Sequence, residues 1–130
     1  MFDWKKPTVQ MLGRWQPWHD GHQALFKRCV AKTGQVIIQV RDVQGASGGD
    51  GQDDNPFDWD SVCKNIEDGL FKDNFKRGVD YEIMLVPNIV NITYGRGVGY
   101  AFDEEVFDEA THSISATKIR KKMRDEGKLK

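Results

Sequence analysis

Long hydrophobic runs are missing from this chain of 130 residues. No apolar stretch approaches the roughly 20 residues a membrane helix needs. Met1 to Pro7 is polar and aromatic and lacks a signal peptide's apolar segment, which predicts a soluble, cytoplasmic protein. Cysteine is scarce: Cys29 and Cys63 fall at apolar positions of helix-like segments and form no Cys-x-x-Cys pair. That excludes a disulfide scaffold and predicts two buried, reduced thiols. A dominant charge is absent as well, with 19 basic against 20 acidic side chains and a net charge of -1. No global field favours a long polyanion, so any anion site must be local. No Lys-Ser or Lys-Thr follows a glycine-rich loop, which excludes a P-loop. The length suits one core, and a single domain over residues 1-130 is expected.

Only three histidines are present, yet two of them sit together. The stretch "GRWQPWHDGHQALF", Gly13 to Phe26, places His19 and His22 around Asp20 and Gly21, directly after the apolar run Val9 to Leu12. Thr8 to Leu12 reads as a short buried strand that Gly13 ends before a turn containing Pro17. Leu25, Phe26, Cys29 and Val30 form one stripe of a helix over residues 21-33, closed by Gly34. "VIIQV", Val36 to Val40, predicts a second strand covered on both faces. Gly45 to Asp54 is too rich in glycine and acid to pack, and a flexible loop is expected over residues 44-56.

Trp59, Val62, Cys63, Ile66 and Leu70 share a helical face that runs to about Phe71, with Asp58 or Asp60 as its cap. Tyr81 to Pro87 reads as a third strand. β-branched residues around Ile92 predict a short fourth strand ending in a loop with Gly95, Gly97 and Gly99. Asp103 to Glu109 is expected to add an acidic helical turn. A last helix is capped by Ser115, buries Ile119 and Met123 and stops at Gly127. This alternation predicts an α/β, Rossmann-like three-layer sandwich: a parallel sheet of about five strands with helices on both faces. In such sheets ligands bind outside the carboxyl ends of the strands.

The histidine stretch lies where that rule puts a ligand, at a turn leading into a helix N-terminus whose bare N–H groups and dipole suit an anion. His19 and His22 are three apart, so both imidazoles can face one small volume, and imidazole can donate to phosphate or turn cationic as charge develops. Two simpler readings stand beside this one. One histidine can cap the helix while the other is a surface group, and zinc would need ligand spacing that His112 and the cysteines do not supply. A second anion site follows from "ISATKIR", Ile114 to Arg120, where Ser115 and Thr117 open a helix with Arg120 one turn in. Alone, that motif is equally an ordinary cap with a solvated arginine.

Together the two motifs resemble the signature of the nucleotidylyltransferase superfamily, the cytidylyltransferase-like fold: an early His-x-Gly-His, here "HDGH", and a late Ile-Ser-x-Thr-x-x-Arg, here "ISATKIR". "GRWQPWHDGH" is similar to the opening of archaeal-type nicotinamide-mononucleotide adenylyltransferases, and "NPF", Asn55 to Phe57, to the segment before their second helix. The whole chain also looks like short cytidylyltransferase-like proteins of marine phages.

The resemblance implies transfer of a nucleoside monophosphate from CTP or ATP to a phosphorylated small molecule, with release of pyrophosphate. His19, His22 and Arg120 would be catalytic. Arg14, Ser115, Thr117 and Lys118 would hold the triphosphate with Gly13, Trp15, Gln16 and Gly21 of the motif turn. The glycine loop after the expected fourth strand offers close backbone approach to a base, with Tyr94, Gly95 and Arg96 as its candidates, and is equally a tight turn alone. Trp15 stands where the family has phenylalanine and is expected to pack. Trp18, Asn88 and Asn91 are acceptor-site candidates. Mg²⁺ would ride on the triphosphate with no protein cage, and Asp20 reads as a turn residue.

The chain lacks the Arg-x-x-Asp and Trp-Glu-Gln segments of glycerol-phosphate and choline-phosphate cytidylyltransferases, and its stretch between third strand and second motif is shorter than in the archaeal enzymes. CTP and ATP therefore both stay open, as does the acceptor. A nucleotide-binding module without turnover is the alternative. The basic "KIRKKMR" helix supports at most a weak, salt-dependent affinity for nucleic acid. Homodimers are common among small enzymes of this kind, and no feature marks an interface.

Overall fold

The computed structural model describes residues 1-42, 56-96 and 101-103. Within them five elements alternate: β1 (Val9–Gly13), α1 (Asp20–Thr33), β2 (Val36–Arg41), α2 (Trp59–Phe71) and β3 (Tyr81–Val86). The strands make one parallel sheet in the order β1-β2-β3, with Val9 opposite Val36 and Val36 opposite Tyr81. Each helix is the crossover that returns the chain to the amino end of the next strand. All three strands therefore finish at the same edge, at Gly13, Arg41 and Val86.

Local chemistry sets the helix ends. Gly34 takes a left-handed φ of 87° and returns its N–H to the Val30 carbonyl at 2.7 Å, which stops α1. At the start of α2 the Asp58 carboxylate accepts from the Ser61 N–H at 2.8 Å. Val62, Ile66 and Leu70 recur every fourth residue and are fully buried, so α2 lies on its apolar stripe. They join Phe26 and Cys29 of α1 and Met11, Val36, Ile38, Val40, Tyr81 and Ile83 of the sheet in one core. The Phe26 ring meets Tyr81 and Phe75 edge-on, with centroids 5.8 and 4.9 Å apart.

Both described helices thus cover the same face of the sheet. In β2 the residues alternate: Val36, Ile38 and Val40 are buried, and Ile37, Gln39 and Arg41 are half-buried. The two described helices lie on one face, and the last helix that was expected besides them lies outside the described residues. On the other face the side-chain amide of Gln10 donates to that of Gln39.

The fourth strand expected around Ile92 does not form. After β3 the Ile89 N–H turns back to the Pro87 carbonyl at 2.7 Å, and Val90 and Ile92 are exposed. Val90, Ile92 and Tyr94 alternate with Asn91 and Thr93 as a strand's apolar face would, yet all three are exposed, so among the described residues no sheet edge covers that face. The described sheet has three parallel strands where about five were expected. Residues 43-55, 97-100 and 104-130 lie outside the described residues. With them lie nearly all of the expected flexible loop, Gly97 and Gly99, the acidic turn and the last helix. Cys29 is buried and Cys63 only half-buried; both are free thiols. No helix among the described residues is long and apolar enough to cross a membrane.

Candidate functional site

The turn from β1 to α1 is held at three points. Trp15 adopts a left-handed φ of 54° and folds its indole back over Gly13, where a Cβ would come within 2.9 Å of the ring. The buried indole then donates to the Gln39 carbonyl of β2 at 3.1 Å. Gln16, followed by a cis peptide to Pro17, spends its amide on Phe57: Nε2 donates to the Phe57 carbonyl at 3.0 Å and Oε1 accepts from the Phe57 N–H at 2.8 Å. Trp18 donates from Nε1 to the Gln23 Oε1 at 2.7 Å, and Gln23 in turn donates to the Gly69 carbonyl and Asp73 of the α2 end. The turn is therefore locked to the sheet, to the entry of α2 and to its exit.

Gly69 is part of that lock, because a Cβ there would lie 2.9 Å from Trp18 Cδ1. Gly69→Val is expected to destabilise the fold by about 1–3 kcal/mol, as overpacking does, and to shift tryptophan emission. A urea titration followed by fluorescence checks both, and an unchanged midpoint and spectrum would contradict the packing.

His19 is the N-cap of α1, and it caps with its ring. Its Nδ1 accepts from the N–H groups of Gly21 at 3.0 Å and His22 at 3.3 Å, and His22 Nδ1 accepts from the His19 N–H at 3.3 Å. This is a reciprocal capping box with two imidazoles in place of the usual hydroxyl and carboxylate. A backbone N–H only donates, so each Nδ1 must present a lone pair. Each neutral ring then carries its proton on Nε2, and both Nε2–H groups are left as donors.

The rings stack with centroids 3.6 Å apart and planes 18° from parallel. His22 also packs against Trp15 and Trp18, at 4.7 and 5.5 Å between centroids. Burial pushes the His22 imidazole down to about 3, and the neighbouring His19 pushes it in the same direction. Burial lowers His19 too, with Asp20 partly opposing. Without a ligand, a second charge on stacked rings inside an aromatic wall is disfavoured, so His22 is neutral.

The amides of Gly21 and His22 are likewise not bare. They point into His19, and the positive end of the helix is passed on through a polarised ring.

Trp18 and His19 line a cavity of about 510 Å³ shared with α2. Its walls carry Asp20, Asp68 and Asp73 against one lysine, Lys72, a balance that does not favour a phosphate inside it. Tyr94, Gly95 and Arg96 lie elsewhere, in a wide cleft along β1 and the flank of α1, where Tyr94 stacks on Phe102 at 5.1 Å. Trp15 also lines that cleft; neither histidine does.

Arg14 follows β1 directly. Asn88 accepts from Arg41 at 2.7 Å, and Asn91 accepts from the Thr93 hydroxyl; both asparagines are exposed. Ser115, Thr117, Lys118 and Arg120 lie outside the described residues. Two residues escaped the sequence reading: Gln23, which ties Trp18 to α2, and Arg41, whose only signal was a charge ending a β-branched run.

No family model matches the chain. It is similar to the nicotinamide-nucleotide adenylyltransferase of Methanococcus aeolicus. The two are 25% identical over 118 residues, which cover 84% of this chain and 66% of that protein. That distant similarity supports a nucleotidyltransferase-like relationship.

Proposed function

We propose that this protein is a nucleotidyltransferase that moves a nucleoside monophosphate from ATP or CTP to a phosphomonoester and releases pyrophosphate. The observation that carries the reading is the imidazole capping box, which sets two Nε2–H donors at the carboxyl edge of β1. The relative's name makes ATP and nicotinamide mononucleotide the first donor and acceptor to try.

In this reaction an acceptor phosphate oxygen attacks the α-phosphorus in line. The new bond joins that oxygen to the α-phosphorus, and the bond from the α-phosphorus to the β-bridging oxygen breaks. A phosphomonoester is largely dianionic at neutral pH, its second pKa being about 6, so the protein need not remove a proton. Its task is to position and to offset charge. His19 and His22 donate from Nε2 to phosphate oxygens, and because both rings are neutral donors they fit where charge grows and no proton moves.

Arg14 adds a cation at the end of β1, and Ser115, Thr117, Lys118 and Arg120 are assigned to the triphosphate tail. Among the described residues no three His, Cys, Asp or Glu side chains are grouped to hold a metal ion. Mg²⁺ belongs on the phosphates of the substrate in this reading, and no step is routed through it.

Titration calorimetry of Mg–ATP and Mg–CTP with wild type and His22→Gln tests the proposal. One nucleotide is expected to bind the wild type and to lose about tenfold or more in the variant, the range of a lost hydrogen bond to a charged group. Binding of neither nucleotide would overturn the reading. Tight binding with no pyrophosphate release from the nucleotide when nicotinamide mononucleotide, ribose 5-phosphate or glycerol 3-phosphate is supplied as acceptor would favour a non-catalytic nucleotide-binding module.

A further inference from the structure

Arg41 is the last residue of β2, on the sheet face opposite the two helices, at the edge where β1 and β3 also end. Its Nη2 donates to the Asn88 Oδ1 at 2.7 Å. Its Nε is enclosed and has no hydrogen-bond partner among the described residues. The Nε–H and Nη2–H of a guanidinium run parallel along one side and form a fork matched to two oxygens of one anion. Asn88 brings a single carbonyl oxygen, so it fills half of the fork and leaves the other half unmet. Enclosed donors are nearly always paired, and an orphan next to a ligand edge calls for an explanation.

We propose that Arg41 binds the phosphate group of the acceptor, taking two of its oxygens on Nε and Nη2 in place of the Asn88 amide. The proposal rests on the nucleotidyltransferase reading above. In-line attack puts the incoming and leaving oxygens on opposite sides of the α-phosphorus. The acceptor phosphate therefore needs a counter-ion separate from those on the triphosphate. The histidine pair and Arg14 are committed to the triphosphate side, and the cavity beside His19 is lined by three carboxylates. Arg41, one residue beyond the Val40 that pairs with Gly13, is a cation on the neighbouring strand end. A phosphate can displace the amide partner, because it offers the fork two oxygens and a full negative charge where Asn88 offers one neutral oxygen.

The test is initial-rate kinetics of pyrophosphate release with Mg–ATP and Mg–CTP against nicotinamide mononucleotide and ribose 5-phosphate, in wild type, Arg41→Gln and Arg41→Lys. Arg41→Gln is expected to raise the KM of the acceptor by about tenfold to a hundredfold, the size of a lost charge-assisted contact. The nucleotide KM and kcat should stay within a few-fold. Inorganic phosphate should compete with the acceptor in wild type and lose that competition in the variant. Arg41→Lys keeps the charge without the fork and should fall between the two; it also serves if Arg41→Gln folds poorly, which a thermal melt reports.

An acceptor KM unchanged in both variants, or a rise shared equally by the nucleotide, overturns the assignment of Arg41 and leaves the nucleotidyltransferase reading standing. A wild type that releases no pyrophosphate with either nucleotide and either acceptor overturns both.

Discussion

His19→Asn is expected to cut turnover by about a hundredfold or more, as removal of a transition-state donor does, while the protein stays folded. Asparagine ranks with serine and aspartate as an N-cap. Its amide oxygen reaches the position of Nδ1, so the N–H groups of Gly21 and His22 keep their acceptor. What disappears is the outer Nε2–H. His22→Gln makes the same separation at the other ring, since glutamine is a regular third-position partner in a capping box. Alanine would be a poorer choice: it removes the cap as well and costs about 0.5–2 kcal/mol of stability for that reason alone. Pyrophosphate release and a urea midpoint, measured on the same preparations, check the claim. Turnover at the wild-type rate in both variants would remove the histidines from the chemistry and leave them as a helix cap.

Acid is expected to destabilise the protein through His22. The ring sits against two tryptophans and takes a proton in the folded state only near pH 3, against an ordinary value of 6.5. Between those two values the unfolded chain binds the extra proton and the folded protein does not. Stability therefore falls as pH falls through that window, and the contribution is fully present above about 6.5. At pH 5 the loss from this ring alone is about 2 kcal/mol. His19, lowered in the same direction, adds to it. Urea unfolding at pH 7.5 and 5.0 checks the size and the source. Wild type should lose clearly more stability than His22→Gln, which has no proton to take up at that position. Equal losses in the two proteins would show that the His22 ring titrates as if exposed.

The elements that sequence reasoning placed well are those whose signals are local. Leu25, Phe26, Cys29 and Val30 mark a helix by spacing, and Gly34 ends it because a left-handed φ is easy for glycine. "VIIQV" marks a strand by composition, but composition could not show how many faces are covered. That depends on which elements pack on it, and Ile37 is only half-buried although it is as apolar as Ile38. The fourth strand was expected from a pattern that is strand-like, with Val90, Ile92 and Tyr94 alternating with Asn91 and Thr93, but a strand also needs a sheet edge to pair with, and these side chains are exposed.

At the site, "HDGH" showed that two imidazoles meet near a helix start. The simpler reading, one histidine as the helix cap, holds for His19; what the motif could not show is that His22 is no surface group but completes the box, because both residues are poor capping types by general preference and the reciprocal bonds arise from the particular path of the Trp15 to Trp18 turn. That path is fixed by contacts with Gln39, Phe57 and Gly69, residues 24 to 46 positions away in the chain. Arg41 was missed for a related reason: an arginine at a strand end is ordinary until its partners are known.

The central claim is that His19 and His22 act as neutral Nε2–H donors held by the helix they cap. Long-range ¹H–¹⁵N correlation spectra of the imidazoles at pH 7, with and without the Mg-nucleotide that binds in calorimetry, test it directly. Both rings are expected to show a bare Nδ1 and a protonated Nε2, and both Nε2–H signals should move when the nucleotide is added. Rings protonated on Nδ1, or on both nitrogens at pH 7, or Nε2–H signals that ignore the nucleotide, would contradict the account.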